Sequence, residues 1–373
     1  MNEAIEFTEE QGMLLETAAD FCRNHSPIDG VRERLDATEI DSATWKEISE
    51  LGWLGINVPA EYGGLELGLA SVVPVIESMG RNLMASPYSG TIVAIEALVS
   101  SGSDAQKLAW LPNIVEGLIA TMALSEPDGS WALDQIESQG VVADDKISLS
   151  GTKCFVTDAD CTGLIVASVL VDGEVKLVLL EGSNIPVESI VREVVIDQTR
   201  RSFQLNLNGI EVPLSQLMPL CDLKAIELAS MLMICAEISG GLVGVLHAIV
   251  EYLNTRKAFD RYIGSYQSLK HPAVDILLQL EGMRSHLYHA ATEHANQNTK
   301  AAEIALRIAK AHGSEAFAFA GDRAVQFHGG FGFTFECDAQ LYLRRALWCQ
   351  YQFGDEKHQR QLLAPLLLDE VNQ

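Results

Sequence analysis

The chain has 373 residues, enough for two or three domains, and 48% of them are hydrophobic, ample for a large core. Its 26 basic against 51 acidic residues give a formal charge of −25. Such a surface repels nucleic-acid duplexes and anionic membranes and sets both aside as partners. An anionic ligand would need a local basic patch. Arg192, Arg200, Arg201, Arg256, Lys257 and Arg261 are candidates for it, although each alone reads first as solvated surface charge. The seven cysteines, at 22, 154, 161, 221, 235, 337 and 349, form no Cys-x-x-Cys pair. Their odd count fits reduced cytosolic thiols better than disulfides or a zinc site, and no metal site is expected. The N-terminal sequence is acidic and carries no signal-peptide pattern.

In chain order, Thr8 to Gln11 fits the Thr-x-x-Gln capping box, and Met13, Leu14 and Leu15 follow it, predicting a first helix from Glu9. Residues 42–51, 69–79, 90–100 and 105–116 read as amphipathic or buried helices. Pro59, Gly63, Gly64, Pro87 and Gly102 punctuate them. The texture changes near Thr121. Residues 141–156, 163–171, 175–181 and 203–212 are short β-branched runs split by Asp, Gly and Asn. Asp172 and Gly173 predict a hairpin turn, since Asp-Gly tolerates positive φ. From Asp222 onward long helical periods return. The run Ile226 to Val250 is apolar enough to raise a membrane-spanning question, but Glu227, Glu237 and His247 interrupt it and predict a buried helix. Ala305 to Val325 reads as another helix. The expected fold is α+β: an N-terminal helical domain (1–119), a central strand-rich domain (120–220) and a C-terminal helical domain (221–373).

Several motifs sit on this frame. Ser125 to Ser130 (SEPDGS) is a loop that also reads as a plain Pro-Asp-Gly turn needing no ligand. Gly151 to Thr157 (GTKCFVT) ends in a Phe-x-Thr that β-branched alternation alone explains as a buried strand. Arg256 to Phe259 (RKAF) places Arg and Phe three apart on a predicted helix, hence on one face; the plain alternative for Arg256 is a salt bridge to Asp260. Ile263 to Gln267 (IGSYQ) follows. Gln326 to Glu336 (QFHGGFGFTFE) carries two adjacent glycines that let the backbone approach a ligand any Cβ would block.

In this order and spacing, and with Leu51 to Gly64 and Met79 to Arg81 upstream, these segments resemble the acyl-CoA dehydrogenases, a flavin-enzyme family, from about residue 5 to about residue 365. The resemblance implies an α domain, a central β-barrel-like domain and a C-terminal four-helix bundle, with FAD between the last two and reaching a neighbouring subunit. It implies that Ser125 hydrogen-bonds the flavin pyrimidine edge and Ser130 reaches the pyrophosphate, in a loop one residue short and with Trp131 in place of an acid. It puts Phe155 at a ring-packing position that usually holds Trp, so the indole donor is missing, and Thr157 beside the flavin. Arg256 and Phe259 would contact FAD across a dimer interface, Arg256 through a guanidinium fork suited to diphosphate. Gln326, Gly329 and Gly330 would hold its adenosine side.

The base is where this chain departs from the commonest pattern. The usual catalytic Glu position holds Phe353, with Gly354 retained and Asp355 next to it. A second location used in the family holds Ser230. Glu237, seven residues on and on about the same helix face, is our candidate, since a carboxylate among Met231, Leu232, Met233, Ile234, Ile238 and Leu242 would be dry and basic. The alternative is a structural Glu paired with a buried arginine such as Arg307 or Arg345; Asp355 and Glu356 are lesser candidates. The string Phe353 to Arg360 resembles a subgroup of short members that pair as unlike subunits in α2β2 tetramers and act on steroid-type CoA esters. Implied partners are an acyl-CoA substrate, an electron-transfer flavoprotein as acceptor, and a homologous subunit or a further copy of this chain. Two rival functions stay open: a non-catalytic subunit completing a partner's FAD site, and a flavin oxidase or monooxygenase.

Overall fold

The structure, a computed structural model, describes residues 9–35 and 37–368. Six helices come first: α1 (Glu9–His25), α2 (Ile28–Glu33), α3 (Ser42–Glu50), α4 (Val73–Arg81), α5 (Tyr88–Ser101) and α6 (Asp104–Val115). The predicted capping residue Thr8 lies outside the described residues. The expected helix from Leu69 divides in two. A 3-10 turn, Leu69–Val72, precedes α4, whose Pro74 sits in the first turn where its missing N–H costs nothing.

Strands then take over: β1 (Ala120–Ala123), β2 (Gln139–Ala143), β3 (Lys146–Ser150), β4 (Thr152–Thr157), β5 (Leu164–Val171), β6 (Glu174–Glu181), β7 (Ile190–Arg192), β8 (Ser202–Asn206) and β9 (Glu211–Pro213). They form a six-stranded sheet, β1-β5-β2-β3-β9 with β6 on β5, and a three-stranded sheet, β4-β8-β7. Ile147, Leu149, Ile165, Val169, Phe203 and Leu205 fill the space between the sheets as a core of their own, giving a curled half-barrel. The Asp172-Gly173 turn joins β5 to β6 with φ of 51° and 82°, the left-handed pair that a two-residue hairpin requires.

The C-terminal part is a bundle of α7 (Leu223–Thr255), α8 (Gln267–Ala295), α9 (Thr299–His328), α10 (Asp338–Tyr351) and α11 (Glu356–Leu368). Asp222 caps α7 through a bond to Ala225 N. Of the described helices, α7 is the one long and apolar enough to cross a membrane, and 67% of its apolar window is buried inside the protein. All seven cysteines are free.

One helical expectation fails. Helix α7 stops at Thr255, and Arg256 is its extended C-cap. Lys257–Ala258 (β10) and Arg261–Tyr262 (β11) pair as a small hairpin. Phe259 and Asp260 are its turn, with φ of 51° and 61°. Arg256 and Phe259 therefore share no helix face, and Arg256 makes no ion pair to Asp260 among the described residues. Periodicity misled because a Phe-Asp pair gives no hairpin signal: Phe rarely takes positive φ.

Helix α7 crosses α4 at backbone contact. A Cβ on Gly240 would lie 1.8 Å from Glu77 O, and one on Gly80 would lie 2.4 Å from Glu237 O. The N-terminal helices and the bundle thus share this crossing. Gly240→Ala must push the helices apart, with an expected loss of about 1–3 kcal/mol from overpacking. An unchanged thermal midpoint in that variant rejects the crossing as drawn.

Candidate active site

A cavity of 160 Å³ opens where the strand domain meets the helices, lined by β4, the start of α5, the middle of α7, the end of α10 and residues 198–201. A second, of 450 Å³, shares the walls Ser125, Phe155, Trp348, Gln352 and Phe353 with it. Four of the predicted binding residues meet here: Ser125, Phe155 and Thr157 on the first cavity, Ser130 with Ser125 and Phe155 on the second.

Local structure explains their placement. The register of β4 on β8 slips between Lys153 and Val156, and Phe155 takes a φ of 56°. A bulge of this kind re-aims one side chain out of the pleat. Phe155 is accordingly half exposed on the cavity wall, edge-on to Trp348 at 6.3 Å, where an ordinary strand would bury it. Thr157 Oγ1 lies 3.2 Å from Thr121 Oγ1. Ser125 O accepts from Cys154 N at 2.9 Å. The loop after Ser125 is pinned by a buried pair: Lys153 Nζ donates to Glu126 Oε1 at 2.7 Å and to Ser168 Oγ at 3.0 Å, while Glu126 accepts from the backbone of Glu137 and Ser138. Burial holds Lys153 below the usual lysine range against the pull of Glu126. Ser130 works within its turn, its Oγ accepting from Ala132 N at 3.2 Å. Trp131 reaches across to the bundle, donating from Nε1 to Tyr351 O at 3.0 Å and facing the His358 ring at 5.0 Å.

The other predicted binding residues form a second group that lines neither cavity. Tyr252, one turn before Arg256, stacks on His328 at 3.9 Å, which brings the end of α7 beside Gln326, Gly329 and Gly330 at the end of α9. Phe259 is 91% exposed. Gly329, at φ 61° and ψ −142°, takes a conformation that only glycine holds comfortably. Gly330 has neither a positive φ nor any atom within 4 Å of a would-be Cβ, so nothing in the chain itself requires glycine there. The expected basic patch also divides. Arg256 caps α7 where the hairpin bearing Lys257 and Arg261 begins, Arg200 and the buried Arg201 pair with acids, and Arg192 covers the Phe203 ring at 5.2 Å.

The candidate base has company that its own helix did not reveal. Glu237 lines the first cavity and is almost fully buried, but it is not a lone carboxylate. Its Oε1 accepts from Arg345 Nη1 at 2.5 Å and from Arg200 Nη2. Oε2 has no hydrogen-bond partner among the described residues. Arg345, one of the two arginines anticipated for a structural role, is the partner found; Arg307 pairs instead with Glu227 and Glu303. Phe353 lines both cavities, and Ser230 lines the first while its Oγ turns back to Ile226 O at 2.7 Å. Asp355 Oδ1 accepts from His358 N at 2.9 Å and Glu356 from Gln350 Nε2 at 2.9 Å; neither lines either cavity. Beneath Phe353, Lys310 Nζ donates to Gln350 O, Gly354 O and Ser314 Oγ, each at 2.9 Å, and burial pushes it down to about 8.

Asp158 escaped the sequence reading. It follows Thr157 in the left-handed region, lines the cavity, and lies 3.5 Å from Arg201 Nη1. Burial raises its carboxyl to about 6, against the opposing charges of Arg201 and Arg200. An Asp directly after the Phe-x-Thr was the available signal.

Comparison with known proteins adds the following. Family models for the N-terminal and C-terminal domains of acyl-CoA dehydrogenase match residues 8–118 and 229–368. The acyl-CoA dehydrogenase IpdE2 of Mycobacterium tuberculosis is 28% identical over 341 residues, 91% of each chain. A chain of the Tcur3481–Tcur3483 steroid ACAD superposes with a TM-score of 0.88 at 24% identity, covering 98% of this chain and 99% of that one. A chain of the ChsE4–ChsE5 complex from Mycobacterium tuberculosis does so at 0.88 and 23%, with the same coverage. At these identities the two structures speak to fold alone.

Asp158 yields a test by pH. Its folded value, about 6, lies above the ordinary 3.8, so the native state takes up this proton first. Its contribution to stability is therefore greatest near pH 4 and is lost as pH rises to 6. Over that window wild type should lose about 2–3 kcal/mol relative to Asp158→Asn, read from urea unfolding. Parallel pH profiles for the two proteins would contradict the assignment.

Proposed function

The chain belongs to the acyl-CoA dehydrogenase family and is an oxidoreductase of that class, and we propose that it works with FAD in desaturating an acyl-CoA thioester at the α and β carbons. We further propose a bulky, steroid-type acyl group, and assembly with a homologous chain as an α2β2 tetramer. The observation that carries this reading is the meeting of Ser125, Phe155, Thr157, Glu237 and Phe353 on the walls of one cavity between the half-barrel and the bundle. The likeness of Phe353 to Arg360 to the subgroup of short members that pair as unlike chains supports the substrate class and the pairing.

The residues present fit a flavin. Ser125 and Thr157 offer hydroxyls on the same wall as the planar Phe155, and these, with Ser130, would hold the ring and pyrophosphate side. Arg256, Phe259, Gln326, Gly329 and Gly330 lie on the chain's outer surface, and the open space over Gly330 suits a ligand shared with a neighbouring subunit. FAD, when bound, supplies the hydride acceptor, and an electron-transfer flavoprotein would carry the electrons away. The chain's own tasks are to hold the thioester, exclude water and remove the α-proton. Phe353 leaves the usual position without a carboxylate, so we assign proton removal to Glu237 through Oε2, the oxygen its arginines leave free. Arg200 and Arg345 fix the other oxygen and thereby its orientation.

A second reading has its own observation. Both arginines engage Glu237, and Trp131 ties the Ser125–Ser130 loop to Tyr351. Such a chain would complete a partner's FAD site through the Arg256 and Gln326 segments and catalyse nothing itself.

Glu237→Gln keeps size and hydrogen bonding but removes the acceptor of the proton. Anaerobic bleaching of bound flavin by an acyl-CoA should slow by about 10²–10⁴-fold. Bleaching at the wild-type rate moves the base to the partner chain and favours the second reading. Arg256→Ala removes a charge-assisted contact of about 1.5–3 kcal/mol and should lower the flavin content of the purified assembly. Full occupancy in that variant refutes the interface role.

A further inference from the structure

The cavity beside Glu237 is not a plain hydrocarbon slot. Charged side chains from three parts of the chain line it, and most are already matched. Arg34 pairs with Asp41. Arg201 pairs with Asp158 and Asp160 and donates to Thr38 O. Thr157 and Thr121 bond each other, and Ser230 bonds its own helix. Arg200 differs. Its Nη2 is taken by Glu237, its Nε, like that of Arg201, is buried without a partner, and its Nη1, unlike that of Arg201, has none among the described residues. The side chain keeps 12% exposure on the cavity wall. A guanidinium presents N–H donors in a fixed fork, and an apolar acyl group packed against it would strip their water and return no acceptor.

We propose that Arg200 recognises a neutral oxygen, a hydroxyl or ketone, carried by the acyl group beyond the thioester. This rests on the acyl-CoA reading above and names the substrate class within it. Charge decides between a neutral oxygen and a carboxylate. Each cavity guanidinium already faces a carboxylate: Asp41, Asp158 or Glu237. Glu39 lines the cavity as well, with no ion pair among the described residues. No positive charge is left over to balance an anionic substituent, whereas an uncharged oxygen needs only the free donor. A site built to donate to a substrate oxygen discriminates strongly against the analogue that lacks it.

The test uses the purified assembly and three acyl-CoA thioesters with sulfur in place of the β-carbon, which cannot be dehydrogenated. They share one alicyclic acyl skeleton, carrying no substituent, a ketone or a carboxylate. Binding is read by calorimetry. The ketone should bind at least tenfold tighter than the unsubstituted analogue, with the carboxylate no tighter than the latter. Arg200→Lys keeps the charge opposite Glu237 but loses the fork, and it should erase the tenfold gap between the ketone and the unsubstituted analogue. Equal affinities in wild type overturn the proposal without any variant. So does tightest binding of the carboxylate, or an equal weakening of all three analogues by Arg200→Lys, which marks a structural or thioester-binding role. Failure of every analogue to bind instead removes the acyl-CoA reading itself, so the two failures are distinct.

Discussion

One buried guanidinium holds the three parts of this molecule in register. Arg345, fully buried on α10, reaches Asp197 and Thr199 in the β7–β8 connection, Glu237 on α7, and Leu83 O just past α4. Burying a charge is costly unless every donor finds an acceptor, and a network so completed tolerates no partial version of itself. Burial alone would raise the Asp197 carboxyl, but Arg345 and Arg200 outweigh it and hold it below the usual range. The half-barrel, the bundle and the N-terminal helices can therefore meet in one arrangement only. The cavity is the space that arrangement leaves.

A second buried pair plays the same part on the far side of that space. Lys153 and Glu126 join β4, which carries Phe155 and Thr157, to the loop that carries Ser125 and Ser130. Both pairs act on backbone segments from a dry interior, where electrostatic bonds are strong and unpaired groups expensive. The site is thus defined by charges beneath its walls as much as by the groups on its surface. Glu237 belongs to both sets, because one of its oxygens completes the network and the other faces the cavity.

The layout of helices, strands and helices was legible because it follows from patterns a few residues long. Apolar spacing marked the elements of both helical parts, and Asp172-Gly173 marked its turn. Motif order grouped Ser125 with Phe155 and Thr157 around one cavity although Ser125 lies in a loop and the other two on β4. Illegible features were of two kinds. Some depend on partners far along the chain: Glu237 looked isolated because its arginines stand 37 and 108 positions away. Others depend on left-handed backbone at residues that seldom adopt it, such as Phe155 and Phe259. The last of these turned an expected helix face into a hairpin.

Lys310 has a mechanical meaning. Three bonds from one buried ammonium clamp the segment from Gln350 to Gly354, so the wall bearing Phe353 is a fixed jaw. Arg34, Ala37, Glu39, Ile40 and Asp41, which follow α2, line the same cavity and rest on the Arg34–Asp41 pair and on a bond from Arg201 to Thr38 O nearer the surface. Changes of size preference can accumulate in this lightly anchored connection between α2 and α3 while the ionic frame beneath stays untouched.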